Sequence, residues 1–240
     1  MYAEVAAPPY QFTFLHGVPE NALADSLIDS EDGIRSSGDG EDLQQDLANR
    51  TAVDKIGRSI RFAQRDDTIG FGTSTPMVKA WADGAETLAD NDALAALAKA
   101  LDDEDVISAV LSQSVGGGLE GYVGSTLAPE ALEQLEKSLE GMIPDDPYDA
   151  VGIGWDADGD VHVAYHFGDA DAAEASVDVL EKVWSEGTSV RTMRPLSDLV
   201  TLDEVDAEGE VVVVGIRPVD QRAGVPWQML MQREVVFISR

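Results

Sequence analysis

Not one cysteine occurs in the 240 residues. Disulfides, thiolate nucleophiles and cysteine-ligated zinc or iron–sulfur sites are therefore excluded. Basic residues are scarce as well: 16 Lys and Arg face 46 Asp and Glu, a formal net charge of −30. Such a chain repels a phosphate backbone unless its cations cluster. They are scattered, with Arg58, Arg61 and Arg65 the nearest approach to a group, so nucleic acid is not an expected partner. No apolar run approaches the ~20 residues that a membrane-spanning helix needs, and no transmembrane segment is expected. Met1-Tyr2-Ala3-Glu4 has neither the basic nor the apolar region of an export signal. Met1 fits a true start and equally a start placed behind a removed signal.

Motifs of several enzyme classes are missing too. There is no G-x-S-x-G elbow and no G-K-[S/T] phosphate loop. Histidine is limited to His16, His162 and His166. A Ser–His–Asp arrangement is defined by geometry rather than by spacing, so only the fold can test for one. Paired carboxylates carry no information when there are 46 to choose from.

Apolar residues make up 44% of the chain, enough for a core in one large domain or two small ones. This is not the composition of a disordered acidic tail. The acidity fits a solvated surface that keeps a soluble protein apart from its copies, and also life in a saline or cation-rich setting. Either way self-repulsion predicts that stability rises with ionic strength.

Residues 1–9 read as a short leader ended by Pro8-Pro9, and Tyr10–His16 alternates as a strand. The stretch DSEDGIRSSGDGED from Asp29 to Asp42 has the composition of a flexible acidic loop, which extends over 29–50. Ile60 and Phe62, then Ile69 and Phe71, alternate about an Arg65-Asp66-Asp67 turn and predict a hairpin. Thr75-Pro76 opens a helix, where the missing proline N–H is harmless. Asp90 or Asn91 caps the next, with Leu94, Leu97 and Leu101 on one face. Val106 to Leu111 reads as a strand, as does Leu119 to Val123.

A helix opening at Pro129 aligns Leu132, Leu135, Leu139 and Met142. Val151, Ile153 and Trp155 alternate, as do Val161, Val163, Tyr165 and Phe167, with Asp158-Gly159 as a hairpin turn. Ala173, Val177, Leu180 and Trp184 mark a helix stopped by Gly187. A strand near Leu202 to Val205, a Glu208-Gly209 turn and the unbroken run Val211 to Ile216 follow, the last expected to be buried on both faces. The class is α+β: an antiparallel sheet of hairpins packed with amphipathic helices. Hairpin–helix units recur as in an internal duplication, though their residues do not align. The halves 1–114 and 115–240 are expected to form two domains or one continuous one.

Some motifs are weaker than they look. Gly116, Gly118 and Gly121 satisfy G-x-G-x-x-G, but the next expected helix starts too late to hold a pyrophosphate, so a glycine hinge is the simpler reading. Asp156, Asp158 and Asp160 in D-A-D-G-D resemble part of a calcium loop and are the candidate metal residues. Calcium wants six to eight oxygens, and the calcium loop's glycine and glutamate positions are not matched here. A tight hairpin turn competes with that reading. The Asp29–Asp42 stretch is a second cation candidate, set against a solvated loop. His162 and His166 have the spacing of two zinc ligands on a helix. On a strand they point the same way but sit ~13 Å apart, so a polar sheet face is the better account. Trp81, Trp155, Trp184 and Trp227 are assigned to the core.

Three stretches carry a resemblance. The first is Ile69-Gly70-Phe71-Gly72-Thr73 with Thr75-Pro76-Met77-Val78, Asp83-Gly84 and Leu88-Ala89-Asp90-Asn91-Asp92. The second joins Ala172-Ala173-Glu174-Ala175 to Glu186-Gly187-Thr188-Ser189 and Arg194-Pro195-Leu196-Ser197-Asp198, and the third is Glu208-Gly209 with Val211-Val212-Val213. Together, over residues 55–217, they resemble uncharacterised bacterial exported proteins of high-GC genomes, often predicted lipoproteins. The resemblance implies export and anchoring, and it carries no catalytic or binding residue. Three functions are therefore expected candidates. One is a non-catalytic extracellular or cell-envelope domain that binds an unknown protein or small ligand. The others are a hydrolase-type enzyme with an unrecognised site and a salt-adapted cytoplasmic domain.

Overall fold

The computed structural model describes residues 2–7, 9–30, 33–50, 54–85, 88–113, 133, 137, 139–189 and 192–238. The Gly116–Gly118–Gly121 motif, the strand expected at Leu119–Val123 and most of the helix expected from Pro129 lie outside them. The described residues form an α+β structure, with two antiparallel sheets and helices packed on them. Contacts divide the chain into two units, Met1–Thr87 and Leu88–Arg240.

The first unit holds strands β1 (Tyr2–Ala7), β2 (Tyr10–His16), β3 (Ile28–Asp29), β4 (Arg35–Ser36), β5 (Arg61–Arg65) and β6 (Thr68–Gly72), and helix α1 (Thr75–Ala82). The sheet order is β1-β2-β6-β5-β4-β3. The expected leader is thus a strand: Tyr2 to Ala7 pairs in register with Leu15 to Tyr10. The hairpin forms where the alternation placed it, with Asp66 in the left-handed region at its turn (φ 49°). Which face is buried was not legible. Phe62 and Phe71 stack on each other, centroids 5.7 Å apart, on the face turned away from α1. The α1 face carries Arg61, Ala63, Gly70 and Gly72, because the helix comes close enough that a Cβ on Gly70 would lie 2.5 Å from the Trp81 ring. Phe12, Ile34, Ala63 and Val78 form the core there.

The described residues of the stretch expected to be a flexible acidic loop, 29–30 and 33–50, are folded. Ile34 is 1% exposed, and Arg35 pairs with Phe62 in the ladder while its guanidinium contacts Asp29 at 2.9 Å. Composition hides this because the single apolar anchor and the neutralising arginines are thinly spread along the sequence.

The second unit is a sheet of order β10-β11-β9-β8-β7, from β7 (Ser108–Gln113), β8 (Tyr148–Trp155), β9 (Val161–Phe167), β10 (Val200–Glu208) and β11 (Val211–Pro218). The helices described in full there are α2 (Asp92–Asp103), α3 (Ala170–Glu186) and α4 (Val225–Met231). Asn91 caps α2 by accepting from the Leu94 N–H, and Asp169 caps α3 by accepting from that of Ala172. Hairpin then helix is the order at β5–β6–α1 and again at β8–β9–α3.

Alternation in the central strands assigns each residue to a helix. Val161, Val163, Tyr165 and Phe167 join Val212, Val214 and Ile216 in a core with Leu180, Val183 and Trp184 of α3. The opposite face offers Ala150, Ala164 and Val211 to Leu94, Leu97 and Leu101 of α2. The valine run of β11 is indeed buried on both sides. Complete burial of each such side chain contributes roughly 1.5–3 kcal/mol, so both helices are held chiefly by their apolar stripes.

The contacts place α2 and β7 in the second unit, ahead of the boundary expected after residue 114. The reason is pairing: β7 bonds to β8 from Ser108↔Trp155 to Gln113↔Ala150, and α2 covers the same sheet. Among the described residues no helix is long and apolar enough to cross a membrane.

Candidate functional site

The most elaborate polar assembly belongs to the first unit and is built on Arg61. Alternation along β5 turns Arg61 to the same side as Ala63, and it is only 7% exposed. A buried guanidinium is costly unless its charge and its N–H groups are matched. Here Nε donates to Asp42 Oδ1 and to Thr75 Oγ1, each at 3.0 Å. Nη1 donates to Ser36 Oγ at 2.5 Å and Nη2 to the Gly40 carbonyl at 2.6 Å.

Asp42 joins the strand to the helix. Its Oδ2 accepts the Thr75 backbone N–H and its Oδ1 the Thr75 hydroxyl, both at 2.7 Å. Ser74, at the N-cap position of α1, makes no capping bond through its side chain. A carboxylate remote in sequence therefore does that work, where the exposed N–H groups and the helix dipole favour negative charge. Gly40 is also held at its N–H, which donates to Ser59 Oγ at 3.1 Å.

Beside this assembly lies an open cavity of about 400 Å³. Arg61 and Lys79 supply its cations, Ser30, Ser36 and Thr75 its hydroxyl groups, and Ile28 an apolar wall. Asp39, Gly38 and Gly40 complete the lining. Lys79 lies 3.3 Å from Asp83 and its side chain is 39% exposed. A part-buried ion pair, Asp54 with Arg58 at 2.7 Å, fixes the segment leading into β5. Burial pushes the Asp54 carboxyl up, but the Arg58 bond and the Ile56 N–H outweigh it and hold it below its usual value.

In the second unit the expected metal residues make a turn. Asp156 Oδ1 accepts the backbone N–H groups of Asp158, Gly159 and Asp160 at 2.8, 2.8 and 2.9 Å. Gly159 takes a positive φ of 90° at the tip. No group of three or more His, Asp or Glu side chains converges to hold a metal among the described residues. The three aspartates thus share a turn without forming a ligand cage.

His162 and His166 point to one face, as their spacing requires, but α2 covers that face, and His166 is 6% exposed. Each ring lies between two carboxylates. His166 Nδ1 contacts Asp149 Oδ1 at 2.6 Å, with Glu210 3.5 Å from Nε2. His162 lies 3.4 Å from Glu104 and 3.8 Å from Asp156. Among the described residues no serine or threonine hydroxyl bonds to either ring. His16 is exposed and contacts Thr68 and Asp67.

Of the tryptophans, Trp184 is fully buried and donates to Tyr165 Oη at 3.1 Å. Trp81 and Trp155 pack at core margins. Trp227, expected in the core, is 37% exposed on α4. The Arg61 assembly was missed by sequence reasoning. Its available signal was an arginine in phase with Ala63 and opposite Gly72, which marks an inward-facing charge in need of a partner. Comparisons with protein-family models, curated proteins and solved structures find no match to this chain.

Proposed function

We propose that the protein is a non-catalytic exported or cell-envelope domain that binds a small ligand in the cavity beside Arg61. The observation that carries this reading is the buried guanidinium, fixed in place by Asp42, Thr75, Ser36 and Gly40 while it lines that cavity. Preorganised polar groups on a concave surface favour binding because little side-chain freedom remains to be lost. The volume lies within the ~300–1,000 Å³ range of small-molecule sites. The His166–Asp149 pair, whose Asp149 side chain is 62% exposed, belongs to the second unit and does not line that cavity.

The export part of the proposal rests on the sequence expectation drawn over residues 55–217. Two measurements test the proposal. A thermal-shift screen of small polar metabolites at constant ionic strength should find stabilising compounds whose effect is lost with Lys79→Gln. A screen without any such compound overturns the binding reading. Mass spectrometry of the native N-terminus in fractionated source cells should find a processed or lipidated chain in the envelope or medium. A chain retaining its initiator methionine in the cytosol instead favours the salt-adapted reading.

A further inference from the structure

The two edges of the second unit's sheet are built differently. Strand β10 closes one side, with Asp203, Glu204, Asp206 and Glu208 among its residues and a register shift between Leu202 and Glu204. Charges and irregular register are common means of keeping a sheet edge from pairing with other chains. Strand β7 closes the other side as Ser108-Ala109-Val110-Leu111-Ser112-Gln113, without a charge, a proline or a glycine. Its pairing with β8 runs through all six residues without a shift. Every second residue of an antiparallel strand turns its N–H and C=O away from its neighbour, so half of β7 offers main-chain groups to the outer side. Among the described residues no strand takes them up. The edge is also accessible: Ser108, Ala109 and Gln113 are exposed, and Ile107 just ahead of them is 73% exposed.

An open edge accepts an extended peptide, main chain to main chain, and the charges at its two ends select the kind. Ahead of β7, Lys99 stands against Asp102, Asp103, Glu104 and Asp105, a balance of −3. Lys99 is taken by Asp103, while Asp102 and Asp105 make no ion pair among the described residues. Antiparallel pairing sets Gln113 opposite Ala150, which brings Asp145, Asp146 and Asp149 to the other end. No Lys or Arg lies between 145 and 155, so the balance there is also −3. Asp149 contacts His166, yet its side chain stays 62% exposed. A second copy pairing edge to edge would set these like charges against each other, in a chain of net charge −30. A basic peptide meets opposite charge at both ends instead. We propose that β7 is a docking edge for an extended basic peptide of a partner protein, which adds a sixth strand to the five-stranded sheet and sets Lys or Arg near each end of β7. This site is separate from the cavity beside Arg61 and does not depend on it.

The test is an NMR titration of the ¹⁵N-labelled full chain with the capped heptapeptide KTVTVTK, whose two lysines stand ~20 Å apart when extended. The controls are ETVTVTE, with the charges reversed, and KTVPVTK, whose proline removes a ladder donor. KTVTVTK should shift the β7 amides saturably and slow hydrogen exchange at alternate residues from Ser108 to Gln113, those facing outward. ETVTVTE should bind about tenfold more weakly, because attraction at both ends becomes repulsion. KTVPVTK should lose the alternating protection. Asp102→Asn combined with Asp105→Asn should weaken KTVTVTK by about threefold, as expected for exposed charge pairs. Asparagine suits position 105, where the backbone has a φ of 55°. Equal affinity for KTVTVTK and ETVTVTE overturns the basic partner. Saturable shifts without alternating protection along β7 overturn the edge as the site, and so does the absence of binding at millimolar peptide. Alternating protection that grows with protein concentration, with no peptide present, gives the edge to a second copy and refutes the proposal.

Discussion

Removing the Asp42 carboxylate tests the logic of the Arg61 assembly directly. Asp42→Ala takes away the cap on the Thr75 N–H, worth about 1 kcal/mol. It also removes the charged partner of a guanidinium that is 7% exposed. A charge-assisted bond contributes about 1.5–3 kcal/mol. The Asp42 side chain is 30% exposed, so water screens part of that and the lower end applies. Together the loss should be about 2–3 kcal/mol. Asp42→Asn separates the parts, because an amide oxygen still accepts the helix N–H but carries no charge. Its cost should be smaller than that of alanine by about 1 kcal/mol. The assay is hydrogen exchange by mass spectrometry on peptides spanning β5 and α1, with urea unfolding as the check on global stability. Protection of α1 should fall most in Asp42→Ala and by an intermediate amount in Asp42→Asn. If both variants stay within about 0.5 kcal/mol of wild type, the ordinary range for surface changes, the carboxylate is not the organising group and the reasoning fails.

Gly70→Ala should destabilise by about 1–3 kcal/mol, the cost of overpacking, because its Cβ would lie 2.5 Å from the Trp81 ring. Gly152→Ala should cost less in the same urea titration, since the atoms it meets at 2.9 Å are the movable ends of Leu101 and Leu111. Equal losses at the two sites would contradict this. Asp54 has a carboxyl held below its ordinary value of 3.8 in the folded state. Its stabilising contribution is therefore complete above the unfolded pKa and lost as pH falls through the lower, folded one. Asp54→Asn should remove part of the pH dependence of stability below pH 3.8; acid unfolding curves of unchanged slope would refute the assignment.

Much of the second unit was legible because its strands and helices obey their own periods. The stripe of Leu94, Leu97 and Leu101, the stop at Gly187, the Asp158-Gly159 turn and the doubly buried run of β11 all appear where local pattern places them. Each depends on residues within a few positions, where propensity and burial agree. The first unit was less legible. Its strands are short, its core cluster is small, and its polar contacts span long separations: Asp42 reaches Thr75, and Arg61 reaches Ser36. The histidines show the same limit, because alternation set their common face but could not show that α2 covers it.

The sequence by itself determined the α+β class, the main hairpins and helix ends, and the lack of cysteine chemistry, since composition and short-range periodicity suffice for these. Only the tertiary contacts decided that residues 2–7 are a strand, that the described part of the acidic stretch is folded and that Arg61 is internal. All three have one cause: backbone and charged groups must find partners when they leave water, and which group supplies the partner depends on what the chain folds beside it.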